Sequence, residues 1–286
     1  MTRLLVIGGT GLLGTPTTKR LRDDGFDVRV LARDPRRARG LLGDPVDIVP
    51  GDVTDLESLE RAMSGCTGVH ISVGGAVDQA SAENVAKLAP KAGIARITYL
   101  SGATVAEQNR WFPMVAQKLE AERALVESGI PFTVFRPTWP MEQLPRFVQG
   151  GQALVIGDAL PPLHWFAAAD LARMISQSYR MDTAANRRFY VYGPEAWTMV
   201  EALEAYRSAA HPDIEHVTVL PIAVAREQAK ASHNKLLAMM AEMMSYFDAA
   251  GELGDPAEAN EVLGPAKITL DQWIAERPTN GSARVV

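Results

Sequence analysis

The first 137 residues alternate short apolar runs with longer segments that mix apolar and polar positions. The apolar runs predict six strands, at residues 4–7, 28–31, 46–49, 69–73, 94–100 and 132–135. The segments between them predict five helices, which begin near residues 11, 34, 54, 78 and 114. Strands that alternate with helices of this length form right-handed βαβ units and a parallel sheet. The pattern therefore predicts an α/β protein with a Rossmann-type, doubly wound parallel sheet.

Local signals mark the ends of several of these helices. Glycines at 25, 93 and 129 are placed to end helices, because glycine readily takes the left-handed conformation found there. Asp34 followed by Pro35 predicts an N-cap carboxylate and a proline at the first helical position. The spacing of Thr54 and Glu57 matches a capping box.

The regular alternation breaks after Pro137, in a stretch rich in proline and glycine. Further patterns predict helices at 168–179, 198–209, 235–247 and 270–274, and strands at 188–192 and 217–220. We expect a cofactor-binding domain over residues 1–137, with a strand and helix near 165–192 returning to its core. Residues 138–280 are expected to form a smaller α+β C-terminal region that mainly binds substrate, and 281–286 a tail, the disorder beginning near Pro278.

A glycine-rich segment between the first strand and the first helix carries the strongest functional signal. It reads Gly8-Gly9-Thr10-Gly11-Leu12-Leu13-Gly14 and satisfies the G-x-G-x-x-G spacing in the strand–turn–helix context that the motif needs. Glycine permits a tight turn and close approach of the backbone to a pyrophosphate, which then meets free N–H groups at the helix N-terminus. A dinucleotide site is therefore predicted here, with Gly8, Thr10, Gly11, Leu12, Leu13 and Gly14 as cofactor-binding residues.

The end of the second predicted strand indicates which dinucleotide is bound. An NAD site typically has an acidic residue there, but Asp34 precedes Pro35 and is better placed as an N-cap. Arg33 then stands where a 2′-phosphate would lie, with Arg36 or Arg37 in support, and a guanidinium matches phosphate bidentately. We therefore expect the cofactor to be NADP(H).

Small and acidic residues end the next two strands. Asp52, followed by Val53, can accept a hydrogen bond from the adenine amino group, although a turn aspartate is an almost equally good interpretation. Val73, Gly74 and Gly75 end the fourth strand, where small residues let a cofactor pass over the sheet edge.

Taken together, these segments resemble the atypical short-chain dehydrogenase/reductase superfamily and, within it, the NmrA-like branch. The resemblance rests on the glycine motif, Arg33, Gly51-Asp52, Tyr99-Leu100-Ser101-Gly102 and the strand Ile130–Pro137, and weaker similarities continue to Trp273. It implies that Ser101 and the segment Pro137-Thr138-Trp139 contact the cofactor, the latter against the nicotinamide. The branch includes NADPH-dependent reductases of quinones, dyes and phenylpropanoids, and also dinucleotide-binding regulators without catalytic activity.

The chain departs from this superfamily at its usual catalytic pair, Tyr-x-x-x-Lys. The matching residues are Met114 and Lys118, which lie one helical turn apart. The resemblance implies that Lys118 holds the ribose, yet a thioether at position 114 cannot donate a proton. A surface role for Lys118, and a pairing with Glu122 one turn on, are the simpler alternatives.

Three interpretations of the missing tyrosine remain open. The acceptor can be one that needs no tyrosine, such as a quinone, an activated alkene or a cationic dye. Another group or water can supply the proton, with His164, Tyr179, Tyr192 and Tyr246 as candidates that sequence cannot place. Alternatively, the protein only senses the cofactor.

The remaining composition narrows the environment and the ligands. A net charge of −5 argues against nucleic-acid binding, and Cys66, as the one cysteine, favours a reducing compartment. No signal peptide or membrane span is visible and the histidines lack metal-ligand spacing, so we expect a cytoplasmic protein with no membrane partner and no metal.

Aromatic and methionine residues point to the substrate. The aromatic residues Trp111, Phe112, Trp139 and Trp165 are expected near the carboxyl ends of strands and favour a flat apolar molecule. Methionines 239, 240, 243 and 244 form either core packing or an adaptable wall over a site. The leading hypothesis is an NADPH-dependent reductase of a hydrophobic small molecule; an NADP-binding regulator and a redox-neutral epimerase or dehydratase are the alternatives.

Overall fold

The computed structural model describes residues 2–157 and 161–277 of the chain. These residues form two compact units. The first contains the chain up to Pro137 together with residues 168–191 and 254–265. The second contains residues 138–157, 161–167, 192–253 and 266–277. The region of the tail, from Pro278, lies outside the described residues.

The helices and strands follow one another along the whole described chain. The strands are β1 (Arg3–Ile7), β2 (Asp27–Ala32), β3 (Asp47–Pro50), β4 (Gly68–Ile71), β5 (Arg96–Leu100), β6 (Phe132–Pro137), β7 (Val148–Gln149), β8 (Gln152–Ile156), β9 (Leu163–His164), β10 (Arg187–Val191), β11 (Ala196–Trp197) and β12 (Val217–Leu220). The α-helices are α1 (Gly14–Asp23), α2 (Pro35–Leu42), α3 (Leu56–Met63), α4 (Asp78–Ala92), α5 (Pro113–Glu127), α6 (Ala168–Ser178), α7 (Met199–Ala210), α8 (Ile222–Ala231), α9 (Lys235–Ala250), α10 (Ala257–Leu263) and α11 (Leu270–Ala275).

The first unit is built on a seven-stranded sheet in the order β3-β2-β1-β4-β5-β6-β10. Every pair of neighbouring strands in it is parallel. One hydrophobic cluster, which includes Leu59, Val85 and Leu125 of α3, α4 and α5, covers one face, and a second, which includes Leu21 and Leu42 of α1 and α2, covers the other. This is the doubly wound α/β fold that the alternating pattern predicts, and the prediction is confirmed.

The strand order reverses between β1 and β4, where the chain crosses from one half of the sheet to the other. In open parallel sheets, ligands bind in the crevice beyond the carboxyl ends of the strands at such a switch point. Gly8 follows β1 and Ser72 follows β4, so the glycine motif opens at that crevice.

The described part of the second unit combines short strands with the helices α7, α8, α9 and α11. Strands β12, β8 and β7 form one small sheet, and β9 pairs with β11 in an antiparallel ribbon. Its core contains Trp165, Leu203, Met244 and Leu270, all at most 2% exposed. The sequence pattern predicts α7, α9, α11 and β12 but misses β7, β8, β9 and β11, because strands of two to five residues carry little periodicity. It also misses the ten-residue helix α8.

The helix ends confirm one capping prediction and overturn another. The Asp34 side chain accepts the Arg37 backbone N–H at 3.0 Å, as expected for an N-cap. Helix α3 is capped not by Thr54 but by Asp55, whose carboxylate accepts the Glu57 N–H at 3.1 Å. The Thr54 hydroxyl instead donates to Asp52 at 2.8 Å, so no capping box forms there.

No helix within residues 2–157 and 161–277 is both long enough and apolar enough to cross a membrane. Over the same ranges, no group of three His, Cys, Asp or Glu side chains is arranged to hold a metal ion.

Candidate cofactor site and active site

The glycine loop after β1 is shaped by close backbone contacts. Gly8 has a φ of +81°, and a Cβ there would lie 2.2 Å from the Ser72 carbonyl oxygen. A Cβ at Gly14 would lie 2.0 Å from the Gly8 carbonyl oxygen. At Gly11, whose N–H donates to that same Gly8 oxygen at 3.0 Å, a Cβ would meet one atom within 4 Å, at 3.3 Å. Gly8 and Gly14 are therefore required by the fold, whereas a Cβ at Gly11 would have a single close neighbour.

Helix α1 begins directly after this loop at Gly14. No side chain caps its N-terminus, and its first turn carries no acidic residue. An uncapped helix N-terminus presents free N–H groups and the positive end of the helix dipole, which together favour an anion. The open face at Gly11 and the uncapped helix fit the pyrophosphate of a dinucleotide.

A cavity extends from the glycine loop across the carboxyl ends of β1, β2 and β4. Gly8 and Thr10 line it at one end, and Arg33, Asp52 and Val53 line it further along. Val73 also belongs to its wall, whereas Gly74 and Gly75 are exposed beyond it. The fold thus brings six sequence-predicted residues around one cavity, and Leu12 and Leu13 lie half-buried in the loop that leads into α1.

The side chain of Asp52 is held by hydrogen bonds to neighbouring residues, whereas that of Arg33 is not. Arg33 is exposed, and within the described part of the chain its guanidinium has no hydrogen-bond or ion-pair partner. Arg37 is exposed on the first turn of α2. Asp52 accepts two hydrogen bonds from Thr54, and these bonds hold the pKa of the carboxyl below its usual value. The carboxylate of Asp52 is therefore ionised and held in a turn at the cavity wall.

Lys118 lies inside the first unit, with only 12% of its side chain exposed. Its ammonium donates to Asp78 Oδ2 at 2.7 Å and to the Leu100 carbonyl oxygen at 3.1 Å, and it lies 3.5 Å from the Tyr99 hydroxyl. The alternatives of a surface lysine and of a pairing with Glu122 are both wrong. The network joins α5 to the start of α4 and to the end of β5.

Asp78 and Tyr99 complete this network, and neither was among the site residues predicted from the sequence. The Tyr99 hydroxyl donates to Asp78 Oδ1 at 2.7 Å, and Asp78 is 2% exposed. Burial first, and the adjacent carboxylate second, raise the pKa of Tyr99 well above its usual value, so its proton stays bound. Asp78 opens α4 in the sequence pattern, but its contact with Lys118, 40 residues away, depends on the packing of α4 against α5.

The buried residues around Ser101 form a second ionic network. Glu122, 3% exposed, accepts hydrogen bonds from the Ser101 hydroxyl at 2.7 Å and from Arg136 at 2.7 and 3.0 Å. Arg188 donates to the same carboxylate at 2.9 Å. The Ser101 hydroxyl therefore donates its hydrogen bond to Glu122.

Met114, one turn before Lys118 on α5, is half-buried.

The segment after β6 passes from the first unit to the second. Pro137 ends β6 and its carbonyl accepts the Ala103 N–H at 2.9 Å. Thr138 donates its hydroxyl hydrogen bond to the His164 carbonyl oxygen. Trp139 packs edge-on against Phe247, with 4.9 Å between ring centroids. The last two residues therefore belong to the second unit, where they hold β9 and α9.

The four candidate proton donors are placed very differently. Tyr246 is 1% exposed in the core, and the Tyr179 hydroxyl is within 2.9 Å of Thr98 Oγ1 in a buried chain that continues to His70. Desolvation raises the pKa of Tyr179, which keeps its proton bound. His164 is 38% exposed and is paired with Glu252, and Tyr192 stacks beside it.

The residues predicted to contact a flat substrate divide between core and surface. Trp165 is fully buried in the core of the second unit, so its ring presents no exposed face to a substrate. Trp111 is 66% exposed. In the second unit a largely apolar cavity is lined by Leu154, Ile156, Leu237, Met240 and Met244, with Arg146 and Gln152 among its polar residues. Met240 and Met244 of α9 line this cavity and Met244 also belongs to the core, whereas Met239 is 58% exposed.

Comparison with known proteins decides the family. The model of the family described as NAD(P)H-binding matches residues 8–179, which is more than half of the chain. The chain belongs to this NAD(P)H-binding family. The match spans the glycine loop, the cavity at the switch point and α6.

Two curated relatives of this family member are reductases. The (4-alkanoyl-5-oxo-2,5-dihydrofuran-3-yl)methyl phosphate reductase of Streptomyces griseus is 31% identical over 201 residues, covering 69% of this chain and 70% of that protein. The NAD(P)H azoreductase of Xenophilus azovorans is 26% identical over 261 residues, covering 87% of this chain and 85% of that protein.

Solved structures share the fold over almost the whole chain. An NADPH-dependent quinone oxidoreductase of Escherichia coli, crystallised with NADPH, has a TM-score of 0.77 at 21% identity, covering 95% of this chain and 98% of that one. A mutant NmrA has a TM-score of 0.69 at 18% identity, covering 96% and 94%. The fold that the resemblance implies is confirmed, since the structural neighbours include both this quinone oxidoreductase and NmrA itself.

Proposed function

We propose that the protein is an NADPH-dependent reductase of a hydrophobic, aromatic or conjugated small molecule, such as a quinone or an enone, and that it works without the usual tyrosine. The observation that carries this proposal is the free Arg33 guanidinium beside Asp52 in the cavity that begins at the glycine loop. The names of the two reductase relatives support the reaction class.

The preference for NADPH over NADH rests on charge. Asp34 is committed as the N-cap of α2, so its carboxylate does not take the place of an acceptor for a ribose hydroxyl. Arg33, with Arg37 as a second cation, is free to bind a 2′-phosphate. Asp52 and Val53 would border the adenine, and the loop from Gly8 to Gly14 would hold the pyrophosphate.

The nicotinamide end of the cofactor would lie near the ends of β4, β5 and β6. We assign Val73, Gly74, Gly75, Ser101, Lys118, Pro137, Thr138 and Trp139 to this part of the site. Bound NADPH supplies a hydride. Lys118 is held in place by Asp78, so this chain would present a fixed ammonium near the ribose, and Met114 would stand where a tyrosine acid usually lies.

The hydrophobic character of the substrate is supported by the second unit. Its cavity is lined mainly by aliphatic and methionine side chains, and methionine adapts to ligands of varied shape. Acceptors that are activated by conjugation need less help from a general acid than aliphatic ketones do. The missing tyrosine and the apolar lining therefore favour the same class of substrate.

The test is NADPH oxidation, followed by absorbance, with a panel of acceptors and with calorimetric binding of NADPH measured in parallel. We expect oxidation with quinones and conjugated carbonyls and little with aliphatic ketones. Tight NADPH binding without oxidation by any acceptor would overturn the reductase proposal and favour the dinucleotide-sensing alternative.

A further inference from the structure

The apolar cavity of the second unit is bordered by the strand β8 and the helix α9. Gln152, Leu154 and Ile156 alternate along β8 and therefore share the face of the strand that borders the cavity. The residues of α9 that border it recur at the three- and four-residue spacing of one helix face: Leu237, Met240 and Met244. Every residue that lines the cavity belongs to the second unit.

The lining of the cavity changes from apolar inside to polar at the rim. Ile156 and Met244 are at most 3% exposed, and Leu154 is half-buried. Arg146 and Gln152, by contrast, are exposed. A ligand that matches this lining has an apolar part that leaves water and a polar group that stays in contact with water at the rim.

The rim of the cavity carries unpaired positive charge. The Arg146 guanidinium lies 3.5 Å from the neutral side-chain oxygen of Gln143 and forms no ion pair with any described residue. Lys235, next to the lining residue Asn234, begins α9, and the first turn of this 16-residue helix contains no acidic residue, so its N-terminus adds a partial positive charge. No carboxylate of residues 2–157 or 161–277 lines the cavity. The rim therefore favours an anionic group.

The volume of the cavity sets the size of the apolar part of the ligand. The cavity measures about 230 Å³. It holds roughly eight groups of the size of a water molecule, each of which occupies about 30 Å³ in the liquid. A methylene group is of similar size, so a chain of roughly eight carbon atoms fits. Methionine side chains adapt their shape to a flexible chain of this kind.

We propose that this cavity binds a medium-chain amphiphile with one anionic head group, a carboxylate or a phosphate. Arg146 pairs with the head group at the rim, and the chain lies against β8 and α9. A guanidinium matches either head group with two parallel hydrogen bonds. The proposal goes beyond the reductase function and does not depend on it, because the residues involved all belong to the second unit and binding is measured without turnover.

The ligand class is tested by calorimetric titration of the full-length protein with octanoate and with octyl phosphate, and the tighter of the two identifies the head group. Octanol and octylamine carry the same chain with a neutral and a positive head group, and each should bind at least about tenfold more weakly. From butanoate to octanoate the affinity should rise by up to about fourfold per methylene group, and decanoate should add little because its chain extends beyond the cavity. Octanol binding as tight as octanoate binding, or no binding of either anion, would overturn the proposal.

The role of the arginine is tested by Arg146→Gln. This variant should bind octanoate about tenfold more weakly, because a charge-assisted hydrogen bond is lost, and should bind octanol as the wild type does. Lys230→Gln, at an exposed site on α8 that does not line the cavity, removes the same charge and should leave octanoate binding unchanged. Equal octanoate affinities in Arg146→Gln and the wild type would overturn the proposal.

The place of the chain is tested by filling the cavity. Met240→Trp puts a large ring into the cavity and should abolish octanoate binding. Met239→Trp makes the same change at the neighbouring residue, which is 58% exposed and does not line the cavity, and should retain binding. Thermal unfolding shows whether both variants are folded, and a folded Met240→Trp that still binds octanoate would contradict the assigned site. If Met240→Trp does not fold, Arg146→Gln decides, since its side chain is exposed.

A second copy of the chain is the alternative occupant, because Leu236 at the rim is 61% exposed. Sedimentation equilibrium without ligand gives the oligomeric state. A dimer that Leu236→Lys dissociates, together with no octanoate binding by the wild type, would assign the cavity to a second copy and overturn the proposal. In either oligomeric state, one octanoate bound per chain in a manner that depends on Arg146 supports it. None of these outcomes alters the reductase function, which is tested by NADPH oxidation.

Discussion

The ammonium of Lys118 donates to the carboxylate of Asp78 over 2.7 Å, and both side chains are almost completely buried. Asp78 is the first residue of α4 and Lys118 lies in the middle of α5, so the pair fixes the register of two adjacent helices below the ends of β4 and β5. Any test of Lys118 in cofactor binding must therefore separate the loss of the ammonium from the loss of this ion pair.

Removing one partner of the pair should cost more stability than removing both. Lys118→Met leaves the Asp78 carboxylate buried without its cation, a change that typically costs about 3–5 kcal/mol. The double variant Asp78→Asn/Lys118→Met removes both charges and should be closer to the wild type. Urea unfolding measures the two free energies; a double variant as unstable as Lys118→Met would contradict this account. A comparison of NADPH binding between the double variant and Asp78→Asn, both of which lack the ion pair, then reports on the ammonium.

Substitutions at two glycines of the same loop should have opposite effects: one should impair dinucleotide binding and the other should impair stability. Gly11→Val should retain the folded structure, because a side chain there meets only the Gly8 oxygen, but it should abolish dinucleotide binding by occupying the space of the pyrophosphate. Gly14→Ala places a Cβ 2.0 Å from the Gly8 oxygen and should lower the melting temperature markedly. Calorimetric titration and thermal unfolding separate the effects, and NADPH binding retained by Gly11→Val would show that the loop is not the site.

The cofactor preference should depend on Arg33. A charge-assisted hydrogen bond contributes about 1.5–3 kcal/mol, so the wild type should bind NADPH roughly 10- to 100-fold more tightly than NADH. Arg33→Asp should remove or reverse this preference, because it places a carboxylate against the 2′-phosphate. Arg61→Asp, on the exposed side of α3, changes the net charge equally and should leave the preference intact. Equal wild-type affinities for the two dinucleotides would contradict the assignment.

The sequence predicted the parts of the site that are local in the chain. The glycine loop depends on residues that lie within seven positions of one another, and so does the N-cap contact of Asp34, which leaves Arg33 free. The structure bears out the geometry of both segments. The Asp78–Lys118 and His164–Glu252 pairs span 40 and 88 residues, so no spacing rule could have found them. The short strands of the second unit escaped for a related reason, since their pairing partners rather than their own composition define them.

Acid stability should depend on His70, which is fully buried on β4. Desolvation lowers its pKa from 6.5 to about 3, and its Nδ1 is 2.7 Å from Thr98 Oγ1. Between these two pH values the unfolded chain binds a proton that the folded chain does not. The free energy of unfolding should therefore fall by up to about 1.4 kcal/mol per unit as pH drops from 6.5 towards 3.

The His70→Gln variant isolates this contribution. It is expected to be less stable than the wild type at pH 7, because it leaves the site imperfectly packed, but the stability gap should narrow as the pH is lowered. Urea unfolding at several pH values gives the difference directly. A gap that stays constant down to pH 4 would show that His70 does not link protonation to folding.

Restoring the tyrosine should broaden the range of acceptors. Met114 is half-buried one turn before Lys118, so a larger ring can be accommodated at the surface of α5 without a new cavity. Met114→Tyr places a hydroxyl at the position of the usual general acid, and general acid catalysis contributes about 10²–10⁴-fold. We expect at least a tenfold rise in NADPH oxidation with aliphatic ketones and little change with quinones. Met114→Phe adds the same ring without the hydroxyl and should show no rise. Equal ketone rates in the two variants would mean that position 114 does not reach the reacting carbonyl group, and the carry-over of the Tyr-x-x-x-Lys pair to this chain would then be wrong.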